Sequence, residues 1–204
     1  MTAARALPRR FYLRDPRVAA PELLNTVLFR GSRAGRIVEV EAYAGSEDPA
    51  SHSFRGQTPR NATMFGPPGR LYVYRSYGMH WCANAVFGEE GFGLAVLVRA
   101  LVPLHGLELM RADRTACRRD RDLCRGPGRL TQALAITGAD DGADLVTGDR
   151  SIVIADDGTP PPNEPGVSGR IGVGAAADQP WRWYVAGQVC VSGPRLTPLG
   201  SVLR

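Results

Sequence analysis

Two carboxylates lie two positions apart in a short run that is otherwise apolar. The run Glu39-Val40-Glu41-Ala42-Tyr43 is followed by a stretch rich in proline, glycine and serine. Because side chains alternate along a strand, Glu39 and Glu41 are expected on one face. A carboxylate at a strand end can be covered by the next loop, which tunes its pKa for general-base chemistry. The same pattern fits a solvated strand edge, so both interpretations stay open here.

A second group of side chains surrounds a predicted hairpin turn. Arg75, Tyr77, Gly78 and Met79 lie between two aromatic-rich segments, and a glycine at the turn is typical of a β-hairpin. Most tyrosines are core residues, but a hairpin tip is exposed. An exposed Tyr77 and Met79 next to Arg75 resemble a wedge that enters a stack of nucleic-acid bases.

Strands provide most of the framework that must position these groups. They are predicted at 26–30, 36–42, 71–75, 81–86, 95–101, 151–155, 170–173 and 183–185. Helices are predicted at 19–24, at 104–114 and from 130 onward, after a Gly-Pro-Gly turn. In the strand 36–42, Ile37 is expected on the face of the carboxylates, with Val38 and Val40 opposite. Locally linked strands with few helices indicate the α+β class.

One domain is predicted over residues 1–204. Residues 1–20 are expected to be loosely ordered, 45–69 to form a long loop and 156–169 to form a proline-rich loop. Long loops inside a compact domain are usually functional or disordered. The glycine–proline segments 66–69 and 126–129 can offer backbone amides to phosphate, although plain turns explain them more simply.

The basic residues exclude some kinds of chemistry. The net charge is +5, which favours polyanionic partners but is small enough to reflect solubility alone. All 25 basic residues are arginine. No side-chain amine is therefore present to form a Schiff base, and no Walker-type lysine is present to hold a phosphate.

Cysteine and histidine spacing predicts no metal site. Cys82, Cys117, Cys124 and Cys190 form no C-x-x-C pair, and the histidines are not spaced as ligands near them. No apolar signal segment opens the chain, and no apolar run approaches membrane-spanning length. A reducing, cytoplasmic location without a membrane partner or a cofactor is therefore expected.

Longer stretches of the chain resemble one family of DNA-repair enzymes. The run 35–43 and the following Glu47, Asp48, Ser51 and His52 closely resemble the alkyladenine (3-methyladenine) DNA glycosylase family. Matching motifs continue at 58–61, 64–65, 68–69, 71–74, 77–79, 82, 84, 96–101, 126–128, 132–136 and 170–173. The likeness extends from about residue 23 to about residue 191, in order and with family-like spacing.

The resemblance implies a role for each candidate site residue. Glu41 resembles the general base, and Arg99 resembles the arginine that holds substrate and water near it. Tyr77, with Met79 beside it, resembles the intercalating wedge. Asn84 resembles the gate that clashes with the 2-amino group of guanine. The aromatic walls of the base pocket are implied to be Tyr43, His52 and Tyr74. Independently of the resemblance, Arg60, Arg75 and Arg129 are guessed to contact the DNA backbone.

The resemblance also implies the fold, the activity and the partner. The expected fold is a mixed or antiparallel curved sheet with peripheral helices and a protruding hairpin. The expected activity is that of a DNA-3-methyladenine glycosylase, and the absence of lysine predicts that it is monofunctional, without AP lyase activity. It would flip 3-methyladenine and 7-methylguanine from duplex DNA, with hypoxanthine and ethenoadenine as further candidates. Its partner would be damaged double-stranded DNA, and the protein is expected to be a monomer associated with the bacterial nucleoid.

Some positions depart from the family pattern, and other functions remain open. Asn25 replaces a usual glycine, and a proline-rich insert precedes Arg170. One alternative is a non-catalytic lesion- or nucleic-acid-binding module. Another is an RNA-binding or formyltransferase-like domain. The last is a zinc protein that would use His52, His80, Cys82 and Cys117.

Overall fold

The computed structural model describes residues 4–193, and a curled antiparallel sheet resembling a half-barrel forms its centre. The strands are β1 (Arg5–Ala6), β2 (Val27–Arg30), β3 (Arg33–Ala44), β4 (Leu71–Ser76), β5 (His80–Phe87), β6 (Leu94–His105), β7 (Ile152–Asp156), β8 (Gly166–Ser168) and β9 (Arg182–Tyr184). The helices are α1 (Arg9–Tyr12), α2 (Pro16–Ala19), α3 (Leu107–Asp113) and α4 (Pro127–Ala133). Single 3₁₀ turns occur at Ala20–Leu23, Gly45–Glu47, Ala62–Phe65, Asp120–Asp122, Gly138–Asp140 and Asp149–Ser151. This architecture confirms the predicted α+β class.

Strand β3 occupies the middle of the sheet. The order is β1-β7-β2-β3-β6-β5-β4, and β9 pairs with both β3 and β8. One edge of β3 pairs with β2 near its start and with β9 near its end, while the other edge pairs with β6. Glu39 and Glu41 are both fully buried. The structure therefore rules out the solvated-edge interpretation of these carboxylates.

The ladder between β3 and β6 has three register shifts, which skip Val38 on β3 and both Arg99 and Leu104 on β6. Such bulges break the alternation of faces and re-aim side chains. As a result, Ile37 joins Val40 in the main core, whereas Val38 packs in a small separate cluster. The prediction that Ile37 shares a face with the carboxylates and Val38 with Val40 was wrong, because strict alternation does not hold across a bulge.

The start of the chain is more ordered than the sequence predicted. Strand β1 pairs with β7, and Tyr12 in α1 is fully buried with its ring centroid 5.3 Å from that of Phe87. The helix predicted at 19–24 is the 3₁₀ turn Ala20–Leu23, which follows α2 directly. Residues 1–3 of the segment predicted as loose, and residues 194–204 of the predicted domain, lie outside the described part of the chain.

Several predicted boundaries moved. A turn at residues 31–32, shorter than expected, lets β3 begin at Arg33. Strand β6 continues to His105, so α3 begins only at Leu107. Helix α4 begins at Pro127, inside the Gly-Pro-Gly segment, because the fixed φ of proline suits a first helical position. Within residues 4–193, no helix is both long enough and apolar enough to cross a bilayer.

The strand predicted at 170–173 does not form. These residues are irregular in the structure. The guanidinium of Arg170 turns inward and binds the fully buried carboxylate of Asp48, with nitrogen–oxygen distances of 2.5 and 2.8 Å. The apolar pattern alone did not show this buried ion pair, which holds Arg170 against the loop that follows β3.

Two features that depart from the family pattern, Asn25 and the proline-rich insert, contact each other. Asn25 has a left-handed backbone with φ of 69°, a region that glycine adopts freely and asparagine tolerates better than most residues. Its side-chain amide donates to the carbonyl of Pro160 at 2.7 Å. Asn25 therefore fits the backbone of the usual glycine and also anchors the inserted loop.

Candidate active site

A cavity of about 560 Å³ opens beside the β4–β5 hairpin. One side is an aromatic wall made of His52, Tyr72 and Tyr74, and Tyr43 also lines the cavity. Residues 170–176 are called the covering segment here. Residues 171–175 of this segment also line the cavity. The volume lies within the range of small-molecule pockets and is ample for one purine base.

The aromatic wall is tightly packed. The rings of Tyr72 and Tyr74 are stacked with centroids 5.5 Å apart, and His52 meets Tyr74 edge-on at 4.4 Å. His52 Nδ1 lies 3.1 Å from the Tyr72 hydroxyl. Partial burial, reinforced by the charge of Arg60, lowers the pKa of His52. His52 is therefore neutral at physiological pH and places no positive charge in the cavity wall.

Asn84 and Cys82 line the cavity from strand β5. Asn84 is buried, and its side-chain amide donates to the carbonyl of Tyr72 at 3.2 Å. Because this bond crosses from β5 to β4, it fixes the orientation of the Asn84 amide relative to the aromatic wall.

The carboxylate of Glu41 lies directly beneath the cavity wall and has no exposed surface. One oxygen accepts the backbone amide of Ile171 at 2.7 Å. The other accepts Arg99 Nη1 at 3.0 Å and the Tyr43 hydroxyl at 3.1 Å. All three donor residues line the cavity, although Glu41 itself does not.

Opposing effects set the protonation of Glu41. Burial raises the pKa of Glu41, whereas Arg99, the Ile171 amide and the Tyr43 hydroxyl act to lower it. The net direction is upward. A carboxylate with a raised pKa is a stronger base than an ordinary glutamate.

Arg99 links Glu41 to Glu39. Its Nε donates to Glu39 at 2.9 Å, while its Nη1 donates to Glu41 at 3.0 Å. Arg182 from β9 also donates to Glu39, at 2.7 Å. These four buried side chains, Glu39, Glu41, Arg99 and Arg182, form a cluster with two formal charges of each sign, here called the ionic cluster. Its charges balance, as buried charges must.

A second buried ion pair fixes the covering segment. The guanidinium carbon of Arg170 lies 4.9 Å from the Tyr43 ring centroid and 5.0 Å from that of Trp181. Its partner Asp48 also accepts the backbone amides of Ala44 and Ala50. The pair therefore ties the covering segment to the start of the 45–69 loop, across the ring of Tyr43.

The hairpin tip projects into solvent beside the cavity. Tyr77 is 82% exposed and Met79 is 69% exposed. Three residues connect the paired Ser76 and His80, and the first two, Tyr77 and Gly78, have positive φ values of 50° and 67°. Most residues other than glycine pay about 1–2 kcal/mol for this conformation.

Helix α4 supports the base of this hairpin. A Cβ added at Gly128 in α4 would lie 2.8 Å from His80 Cβ. A Cβ added at Gly138, in the 3₁₀ turn that follows α4, would lie 2.7 Å from the Trp81 ring. The second glycine of the Gly-Pro-Gly segment is thus required for close packing against the hairpin. This packing role favours the turn interpretation of the segment over phosphate binding.

The structure brings most of the predicted site residues together. Those that line the main cavity are Tyr43, His52, Arg60, Tyr74, Tyr77, Asn84 and Arg99. Met79 instead lines a second cavity with His80 and Trp81, on α4's side of the hairpin. Arg75 is exposed with its guanidinium carbon 5.8 Å from the Trp81 ring centroid, and Arg129 is exposed on α4.

Sequence reasoning gave no role to several residues that hold the site. These are Glu39, Asp48, Arg170, Ile171, Arg182 and Ser192. A usable signal existed, because charged residues inside apolar strands need buried partners. Within residues 4–193, no three metal-ligand side chains converge, so the grouping proposed for zinc is not assembled.

The fold and the site together define an α+β protein with an aromatic cavity above a buried carboxylate. Residues 10–189 match the family model described as methylpurine-DNA glycosylase (MPG). A protein of Burkholderia lata named "Putative 3-methyladenine DNA glycosylase" is 59% identical over 189 residues, which cover 92% of this chain and 91% of the relative. A protein of the same name from Frankia casuarinae is 48% identical over 195 residues, covering 91% of each chain.

The chain therefore belongs to the methylpurine-DNA glycosylase family, a family of DNA-repair glycosylases. The match confirms the family resemblance inferred from the motifs. It also favours DNA over RNA as the nucleic acid that this protein acts on.

Proposed function

We propose that this protein excises damaged purines from duplex DNA as a monofunctional glycosylase. The damaged nucleotide rotates out of the helix, because a base inside the stack cannot be reached. Its base enters the aromatic cavity, and water activated by Glu41 hydrolyses the bond to deoxyribose. The proposed substrates are 3-methyladenine and 7-methylguanine, with hypoxanthine and ethenoadenine as candidates.

One observation carries this proposal: a buried carboxylate is bonded only to residues that line an aromatic cavity. Cleavage of an N-glycosidic bond develops positive charge on the sugar, which a nearby carboxylate stabilises. A carboxylate offers about four acceptor positions, and Glu41 uses three of them. We assign the attacking water to the fourth position, on the oxygen that accepts the Ile171 amide.

The cavity also fits the charge of alkylated purines. Stacking on aromatic side chains contributes about 1–3 kcal/mol per base and is stronger for cationic bases. His52 adds no opposing charge because its pKa is lowered. Asn84, fixed by its bond to Tyr72, is proposed to reject the 2-amino group of undamaged guanine.

Base release from defined duplexes tests the proposal. Purified protein is incubated with duplexes that each carry one candidate lesion, and the freed base is measured by chromatography. We expect release of alkylated purines and none from undamaged duplex. Tight lesion binding without release would instead support the non-catalytic module, and neither binding nor release would contradict the proposal outright.

We expect Tyr77→Ala to weaken binding of a lesion duplex by roughly 5- to 150-fold, the equivalent of about 1–3 kcal/mol of stacking. Alanine also has a Cβ, so the left-handed backbone cost is retained. Because Tyr77 is 82% exposed, the free energy of unfolding should hardly change. Fluorescence anisotropy measures the affinity, with single-stranded lesion DNA less affected.

Phe92→Ala is the matched control, since Phe92 is 59% exposed and does not line the cavity. Its affinity for the lesion duplex should equal that of the wild type. Unchanged affinity in Tyr77→Ala would remove the wedge role from Tyr77.

The absence of lysine predicts that the abasic product stays intact. An AP lyase reaction proceeds through an imine, and no side-chain amine is present in the sequence. We expect no strand cleavage without added base or heat, and no covalent protein–DNA adduct after borohydride reduction. A trapped adduct in a denaturing gel would contradict the monofunctional assignment.

A further inference from the structure

Glu39 accepts four hydrogen bonds in the ionic cluster. One of its oxygens accepts Arg99 Nε at 2.9 Å, Arg182 Nε at 2.7 Å and the Ser192 hydroxyl at 2.9 Å. The other accepts the Ser192 backbone amide at 2.6 Å. Four donors, three of them on one oxygen, therefore hold the Glu39 carboxylate in place.

Glu39 also determines how Arg99 meets Glu41. Arg99 has Nε on Glu39, Nη2 on the Ser192 hydroxyl at 3.2 Å, and only Nη1 on Glu41. A guanidinium free to rotate prefers to bind a carboxylate with two parallel hydrogen bonds. Held in this way, Arg99 contacts a single oxygen of Glu41 and leaves one acceptor position of that carboxylate open.

We propose that Glu39 is a positioning residue for base excision: it holds Arg99 at Nε, prevents Arg99 from closing on both oxygens of Glu41, and balances the second positive charge of Arg182. The inference rests on the proposed function, in which Glu41 is the general base. Glu39 itself touches neither substrate nor water.

Charge balance predicts the direction in which substitutions at Glu39 and Arg182 change the pKa of Glu41. The ionisable groups around Glu41 come from five strands and the covering segment: Glu39, Tyr43, Tyr74, Cys82, Arg99, Arg170 and Arg182. Removing the charge of Glu39 leaves the ionic cluster with a net charge of +1, which favours ionised Glu41. Removing the charge of Arg182 leaves it at −1 and has the opposite effect.

The test compares Glu39→Gln with Arg182→Met in single-turnover excision between pH 4.5 and 9, alongside lesion-duplex affinity. We expect Glu39→Gln to slow excision by about 10- to 100-fold, as a small misplacement of a catalytic group does, with affinity unchanged within about threefold. The acidic limb of the pH–rate profile of Glu39→Gln should move to lower pH by about one unit. The acidic limb of Arg182→Met should move to higher pH by a similar amount. The double variant should return the limb towards the wild-type position.

A merely structural role would lower the melting temperature and leave both acid limbs in place, and that result overturns the inference. If Glu39→Gln does not fold, Arg182→Met alone decides: an upward shift supports the inference and an unshifted limb overturns it. The proposed function fails separately, through wild-type rates in Glu41→Gln. Unshifted limbs combined with an inactive Glu41→Gln would refute only the role of Glu39.

Discussion

Glu41→Gln is expected to excise damaged purines about a hundred to ten thousand times more slowly than the wild type, the usual contribution of a general base. Glutamine keeps the shape of the side chain, and its single amide oxygen can still accept a hydrogen bond, either from Ile171 or from Arg99. It cannot take a proton from water or stabilise positive charge on the sugar. Affinity for a lesion duplex should survive, because Glu41 has no exposed surface. Single-turnover base release and anisotropy measure the two quantities.

The pH dependence of the wild-type enzyme should agree with this assignment. Burial raises the pKa of Glu41, so the carboxylate becomes protonated at a higher pH than an ordinary glutamate at about 4.3. Excision should therefore decline on acidification before that value is reached. Glu89→Gln, an exposed residue outside the cavity, is the control and should match the wild type. Normal excision by Glu41→Gln would refute the base assignment.

Asp48→Asn is expected to lower the free energy of unfolding by about 3–5 kcal/mol, the cost of leaving one partner of a buried ion pair alone. Both side chains of the Asp48–Arg170 pair are 0% exposed. In a chain of this size that loss corresponds to a fall in Tm of about 10 °C. Urea unfolding followed by tryptophan fluorescence measures it. Excision should also suffer, since the pair fixes the covering segment above Glu41.

A partly exposed ion pair provides the comparison. Arg36 and Asp157 have side chains that are 22% and 27% exposed, with a nitrogen–oxygen distance of 2.7 Å. Asp157→Asn should therefore cost no more than about 1 kcal/mol. Equal losses of unfolding free energy in Asp48→Asn and Asp157→Asn would mean that the buried pair stabilises the protein no more than a partly exposed pair does.

The sequence predicted the parts of the fold that depend on short-range patterns. The hairpin around Gly78 and the strands on either side of it appear where composition indicated them. The α+β class was correct for the same reason. Strict alternation failed at Val38, since a bulge depends on how two distant strands pair. The strand predicted at 170–173 failed because Arg170 finds Asp48, a partner 122 residues earlier in the chain.

The candidate site was also predicted only in part from the sequence. Motif resemblance singled out Glu41, Arg99 and Tyr77, and the structure places them around one cavity or directly beneath it. Resemblance did not reveal that Glu41 is completely covered, because burial depends on the covering segment more than a hundred residues away in sequence. The supporting role of Glu39 was missed for a related reason. Its partners Arg182 and Ser192 lie on distant segments that no local pattern connects to β3.

The positive φ of Tyr77 has a consequence for the energetics of DNA recognition. The aromatic ring already points outward in the free protein, on a turn that glycine at position 78 and the packing of α4 hold in shape. The unfavourable backbone energy at this position is therefore incurred when the chain folds. For the insertion of Tyr77 proposed above, an encounter with DNA need not reorganise the hairpin, so the affinity gained is not reduced by a conformational cost at that step.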